Sequence, residues 1–90
     1  MNKTRRADIA KLISALEELL EPLELNRDAT ESIQGDEQEY FDNMPESFQS
    51  GEKGEAAEAA AEKLQEAYDA LDAAKDALQE AIDALGEAAE

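Results

Sequence analysis

The segment that decides the fold is 64–85, LQEAYDALDAAKDALQEAIDAL, in which one stripe of residues recurs with alternating spacings of four and three. The stripe consists of Leu64, Tyr68, Leu71, Lys75, Leu78, Ile82 and Leu85. This alternation is the a/d pattern of a helix that packs lengthwise against another helix. The sequence therefore predicts a long helix over about residues 52–88.

The first third of the chain carries the same pattern. Its apolar stripe consists of Ile9, Ile13, Leu16, Leu20 and Leu23. Leu12 and Leu19 are expected to widen this stripe, so we predict an amphipathic helix over about residues 4–34. Pro22 lies inside that helix and is expected to kink it, because proline removes one backbone hydrogen bond and clashes with the preceding turn.

The residues between these helices are predicted to form the connection. Gly35 is expected to end the first helix. Asp36 followed by Glu39 resembles a capping box, which would open a short helix over about residues 36–43. Pro45 disfavours helical backbone in the residue before it, so a turn is expected over residues 44–51.

Two long helices around a central turn predict an all-α fold. We expect residues 1–90 to form a single domain, an antiparallel two-helix hairpin with coiled-coil packing. An alanine-rich core buries little apolar area, so dimerisation into a four-helix bundle is expected to add stability. A turn near Pro45 to Ser47 would pair residues of the two helices whose numbers sum to about 93.

The composition excludes much chemistry. The 90 residues include 24 acidic against 8 basic residues, which gives a net charge of −16, and neither histidine nor cysteine occurs. A Ser-His or Cys-His nucleophile, a thiolate redox centre and an ordinary zinc site are therefore excluded. We expect no enzyme activity, catalytic residue, metal or cofactor. Nucleic acid and anionic membranes should repel so negative a chain.

The acidic residues are arranged in helical stripes. They comprise Glu17, Glu21, Glu24, Asp28 and Glu31 on the first helix and Glu62, Glu66, Asp69, Asp76, Glu80, Asp83 and Glu87 on the last. Exposed helices usually intersperse lysine with glutamate, because like charges one turn apart destabilise a helix. The scarcity of lysine favours an acidic surface that binds a basic partner. The alternative is a solvated face that only keeps the hairpin soluble.

Two further groups of residues stand out. Aromatic and turn residues gather near the chain midpoint, where they predict either a packed cap over the hairpin end or an exposed anchor for a partner; they are Tyr40, Phe41, Asp42, Asn43, Pro45 and Phe48. Basic residues gather at the N-terminus, and we expect them to pair with the acidic C-terminal end; they are Lys3, Arg5, Arg6 and Lys11. A nucleic-acid-binding arm is the alternative for the basic group.

Residues 36–49, DEQEYFDNMPESFQ, followed by an Ala/Asp/Leu heptad helix, resemble a group of short acidic helical proteins of phages and prophages of Gram-positive bacteria. The opening Asn-Lys-x-Arg-Arg, with Ile9 and Leu12 after it, is similar too. The segment around 25–35 is longer than in that group. The resemblance implies a phage setting and carries no established activity.

These observations lead to two hypotheses of function. The first is a phage-encoded DNA mimic that inhibits a host nucleic-acid-binding defence or repair protein, such as a CRISPR effector or a nuclease. The second is a structural or adaptor hairpin that self-associates. Acidic residues interrupt every apolar run, so neither a signal peptide nor a membrane span is expected. We therefore predict a homodimer in the cytoplasm of the bacterial host.

Overall fold

The computed structural model describes residues 1–90 as two long helices and one short helix, with no strands. Helix α1 is Lys3–Asp42, α2 is Glu46–Gln49 and α3 is Glu52–Ala88. α1 and α3 pack against each other along their length and form a rod that measures 68 × 15 × 14 Å. The predicted all-α helical hairpin is confirmed.

The two helices meet along one stripe each, which together we call the packed seam. Its buried or half-buried members on α1 are Ile9, Ile13, Leu16, Leu20, Leu23, Arg27, Thr30, Gln34, Glu37 and Phe41. On α3 they are Gly54, Ala57, Ala61, Leu64, Tyr68, Leu71, Lys75, Leu78, Ile82, Leu85 and Ala89. Both stripes keep the four-three spacing of coiled-coil packing over nearly the whole rod.

Two ion pairs across the seam fix the register. Arg27 Nη1 lies 2.8 Å from Asp72 Oδ1, and Lys75 Nζ lies 3.3 Å from Glu24 Oε1. In both pairs the residue numbers sum to 99, so the expected sum of about 93 is wrong by most of a heptad. The first turn of α3 extends beyond the end of α1 and packs on α2, which shifts the whole of α3 along α1.

Helix α1 is continuous where a break at Gly35 was expected. It runs from Lys3 through Pro22 and Gly35 to Asp42, so residues 36–43 are not a separate helix. A glycine in a helix interior costs only about 1 kcal/mol relative to alanine. The packed seam continues beyond Gly35 to the half-buried Phe41, and those contacts outweigh that cost. The carbonyl that Pro22 leaves without a helical partner belongs to Glu18, which is exposed to solvent.

One side chain and several backbone hydrogen bonds hold the turn together. Gln49 Nε2 donates hydrogen bonds to the carbonyl oxygens of Phe41 and Met44, at 3.1 and 3.2 Å. Phe41 lies in the last turn of α1 and Met44 follows the end of that helix, where carbonyl groups lack the regular helical partner. Gly54 is buried directly against the backbone of Gln49, and any larger residue there would overlap that backbone. α2 therefore closes the hairpin through a close backbone approach.

The core of this rod is thin. Only Gly54, Ala57, Ala61 and Ile82 are buried, and the chain exposes 6441 Å². A compact monomer of 9.8 kDa would expose about 5,200 Å². The hairpin thus presents unusually much surface for its mass. None of its helices combines the length and the apolarity of a membrane-crossing segment.

Candidate interaction surfaces

The hairpin has two chemically different sides. Antiparallel helices are related by a two-fold axis that runs from one side of the pair to the other. Columns at the same heptad position therefore lie on the same side in α1 and α3. The ion pairs of Arg27 with Asp72 and of Lys75 with Glu24 mark one side, which carries most of the acidic stripes. We call it the acidic side and the opposite one the apolar side.

The acidic side is exposed and mostly unpaired. Of the predicted stripe residues only Glu24 is half-buried. Glu24, Asp28 and Glu66 take part in ion pairs, and the other nine stripe carboxylates form none. Asp69 and Asp83 accept hydrogen bonds from the glutamines one turn before them, at 3.1 and 3.0 Å, which orders these two carboxylates along α3.

The carboxylates of the two helices lie at matching heights. The five stripe residues of α1 from Glu17 to Glu31 occupy the same stretch of the rod axis as five acidic residues of α3 from Asp69 to Asp83, which include Asp72. Ten carboxylates less the cations Arg27 and Lys75 thus leave eight negative charges within about 21 Å of rod, or one per ~2.6 Å. Duplex DNA carries one phosphate charge per about 1.7 Å. The acidic side approaches the linear charge density of a duplex.

Cations next to the acidic stripes bind carboxylates of these stripes. The Arg27 side chain is only 17% exposed and contacts Asp28 at 3.0 Å as well as Asp72. The hydrogen bond with Asp28 raises the pKa of Arg27, while burial lowers it and Asp72 raises it further. Lys63, one turn from Glu66, likewise has a raised pKa because of its hydrogen bond with that carboxylate. Arg27 and Lys75 therefore join the two helices, Lys63 binds Glu66 within α3, and most of the outer carboxylates stay unpaired.

Tyr68 occupies the packed seam beside this surface. Burial raises the pKa of the Tyr68 phenol above 10.0, the nearby Glu31 carboxylate raises it further, and Arg27 opposes them. A neutral phenol is therefore favoured in the folded hairpin.

The apolar side was not predicted from the sequence. Leu12, Leu19, Ile33 and Tyr40 recur on α1 at multiples of seven residues, and each is more than half exposed, between 53% and 56%. Leu12 and Leu19 are thus more exposed than the residues of the packed seam and do not belong to it. On α3 the same side carries alanines: Ala56, Ala60, Ala67, Ala70, Ala74, Ala77, Ala81, Ala84 and Ala88. The signal that could have revealed this side is the seven-residue recurrence of large apolar residues beside the main stripe.

The turn residues are divided between packing and exposure. Phe41 is half-buried, whereas Tyr40 and Phe48 are 55% and 59% exposed. The other predicted turn residues, Asp42, Asn43 and Pro45, are exposed. One aromatic thus packs into the hairpin end and two face solvent, and the predicted role as an anchor for a partner stays a prediction.

The basic N-terminus contacts α3 through one residue. Arg6 Nε donates to the carbonyl oxygen of Ala89 at 3.2 Å, which satisfies an open carbonyl at the end of α3. Lys3, Arg5 and Lys11 form no ion pair, so the expected pairing with the acidic C-terminal end is limited to this backbone contact.

The acidic residues form a surface with no enclosed site. No three of them converge as ligands for a metal ion. The single groove is shallow, lies at the open end of the hairpin and is lined by Ile13, Ile82, Asp83, Gly86, Glu87 and Glu90. An extended rod with many exposed apolar residues is typical of proteins that bind a partner or self-associate. No protein-family profile, curated protein or solved structure matches this chain.

Proposed function

We propose that this chain acts by binding, without catalysis, as a phage accessory protein that mimics DNA. Its acidic side occupies the basic groove of a host nucleic-acid-binding protein, such as a CRISPR effector, a nuclease or a repair enzyme, and blocks access of DNA. The observation that carries the proposal is the density of mostly unpaired carboxylates along one side of a rigid rod. The phage setting comes from the sequence resemblance alone.

Three properties of the acidic side support mimicry. Its carboxylates are exposed on helices, so their spacing is fixed before a partner arrives, which lowers the entropic cost of binding. Arg27 and Lys75, the cations beside it, already bind carboxylates of the hairpin. The negative charge of the acidic side resembles that of DNA phosphates and attracts a basic groove over a distance set by the ionic strength.

A second candidate function is a self-associating adaptor, and the exposed apolar side favours it. Leu12, Leu19, Ile33 and Tyr40 would be covered in an assembly of two hairpins, and the acidic side would then only keep the assembly in solution. The two functions are compatible, because they use opposite sides of the rod.

Competition by DNA tests the mimicry. The immobilised hairpin is incubated with lysate of a Gram-positive bacterium, and bound proteins are eluted with duplex DNA or with polyglutamate of equal total charge. Mimicry predicts that duplex DNA releases the captured proteins at a concentration at least about ten-fold lower than polyglutamate, because their grooves fit a duplex.

Equal release by both polyanions would contradict mimicry and leave only nonspecific charge attraction. Captured proteins that bind no DNA would contradict it as well. Identification of the released proteins by mass spectrometry, followed by a DNA-binding assay on each, separates these outcomes.

A further inference from the structure

We propose that the apolar side binds the apolar side of a second copy of this chain, with both turns at the same end and α1 of each copy packed on α3 of the other. This builds on the self-association proposed above and adds the face, the contacting helices and the orientation. The acidic sides of both copies then point outward in opposite directions.

The distribution of charge favours the apolar side as the contact between two copies. Each copy carries a net charge of −16, so two copies repel each other through any acidic surface. Between Leu12 and Tyr40 on α1, and along the matching part of α3, the apolar side holds one acid, Asp36, and one base, Lys63. It is the one side on which a second copy meets no net charge.

The side is complementary to itself in shape. Large side chains project from α1 and small ones from α3, so the ridge of one copy fits the alanine stripe of the other. Under the observed register, Leu12 lies at the height between Ala84 and Ala88, and Leu19 at the height between Ala77 and Ala81. Alanine lets helices approach closely and leaves space for a knob between two turns.

The same heights continue toward the turn. Tyr40 lies level with the gap between Ala56 and Ala60, and Ile33 lies beside Ala67. A two-fold axis parallel to the rod keeps all these heights matched between copies, because it moves no residue along the rod. The numbers of Asp36 and Lys63 also sum to 99, so the only acid of this side meets the only base of the other copy. The Lys63 side chain contacts Glu66 but is 80% exposed, so it is accessible to a second carboxylate.

The area is sufficient for a stable dimer. The side runs about 42 Å from Leu12 to Tyr40, at 1.5 Å per residue. With the 15 Å width of the rod this gives about 600 Å² per copy and about 1,200 Å² in total, at the lower end of stable specific interfaces.

The opposite orientation fits less well. An axis across the rod would place α1 on α1 and α3 on α3, so bulky residues would meet bulky residues and alanines would meet alanines. The helix separations would then differ between the two halves of the interface, and the Asp36 to Lys63 match would be lost.

The experiment measures mass and turn-to-turn distance. The chain has no cysteine, so Ser47→Cys in the turn carries a single spin label. We expect a particle of twice 9.8 kDa by light scattering and a label separation below about 30 Å by pulsed electron resonance, given helix spacings of about 10 Å. A distance between the two labels close to the 68 Å length of the rod would overturn the proposed orientation but not the self-association.

Matched variants test the face. Leu19→Glu with Ile33→Glu should convert the dimer to monomer while the helical circular dichroism persists, because both side chains are exposed in the single hairpin. Leu25→Glu is the control, since Leu25 is 61% exposed but lies off the apolar side, and it should stay dimeric. A wild-type monomer would overturn the dimer itself, and a dimer that survives both glutamates would overturn the face.

A charge exchange tests the contact between copies. Asp36→Lys alone should weaken the dimer about ten-fold or more by placing two lysines together, and Asp36→Lys with Lys63→Asp should restore it. Failure of the double variant to recover would overturn the proposed match of heights.

Discussion

At the scale of single residues, small side chains and cations determine how the hairpin closes. Gly54 has no side chain, which allows the backbone of Gln49 to pack directly against it. Arg27 binds Asp28 on its own helix and Asp72 across the seam. Neither role is visible as a motif. Gly54 looks like one of several turn glycines, and Arg27 interrupts an apolar stripe, so only the assembled structure shows what each of them contacts.

Two glycine substitutions should have opposite effects on stability. Gly54→Ala should lower the free energy of unfolding by about 1–3 kcal/mol, because the added methyl group overlaps the backbone of Gln49. Gly35→Ala should raise it by about 0.5–1 kcal/mol, since nothing lies within 4 Å of the new Cβ and the helix is continuous there. Urea unfolding followed by circular dichroism measures both. A destabilising Gly35→Ala would contradict the continuous α1.

The phenol of Tyr68 should make stability depend on alkaline pH. In the Tyr40→Phe variant Tyr68 is the only tyrosine, and its absorbance titration should have a midpoint above 10.0 in the folded protein and near 10 in denaturant. Because the folded state holds this proton more tightly, the contribution to stability is complete below pH 10 and declines as pH rises through the folded pKa. Tyr68→Phe should flatten part of that decline. Equal folded and unfolded midpoints would refute the burial of this phenol.

At the scale of helices, the four-three spacing was sufficient to predict α3, the helical nature of α1 and the hairpin. It could not give the register, because α2 and the overhang of α3 depend on the close contact between Gln49 and Gly54. Nor did the spacing show which stripe packs. Leu12 and Leu19 form a stripe of their own, and periodicity identifies residues that share a face without identifying its partner.

Crosslinking tests the register. Asn26→Cys with Ala74→Cys places two thiols on the same side, with numbers that sum to 100, and a short bismaleimide should join them within one chain. Asn26→Cys with Ala67→Cys matches the sum of 93 expected from the sequence and should react poorly. Denaturing electrophoresis separates crosslinks within one chain from those between copies. A higher yield for the second pair would contradict the observed register.

At the scale of the whole molecule, the net charge of −16 is distributed unevenly over the surface of the rod. The acidic residues concentrate on one side and along the back of α3, while the other side is nearly uncharged. The sequence was sufficient to predict the acidic stripes residue by residue, since helical spacing alone defines them. It did not indicate the uncharged side, because alanine on a helix is equally typical of a surface that packs and of one that faces solvent.

The position of the binding surface is the most direct test of the central claim that the acidic side replaces DNA. The measurement is the amount of DNA-releasable host protein that each immobilised variant captures. Asp69→Lys with Asp76→Lys reverses two charges on the stripe of α3, and Glu18→Lys with Glu39→Lys reverses two exposed acids outside the stripes. Both variants have the same net charge, and circular dichroism confirms that each is folded. Mimicry predicts at least about a ten-fold loss for the first variant and near wild-type capture for the second. Equal loss in both would contradict the claim, because capture would then depend on total charge alone.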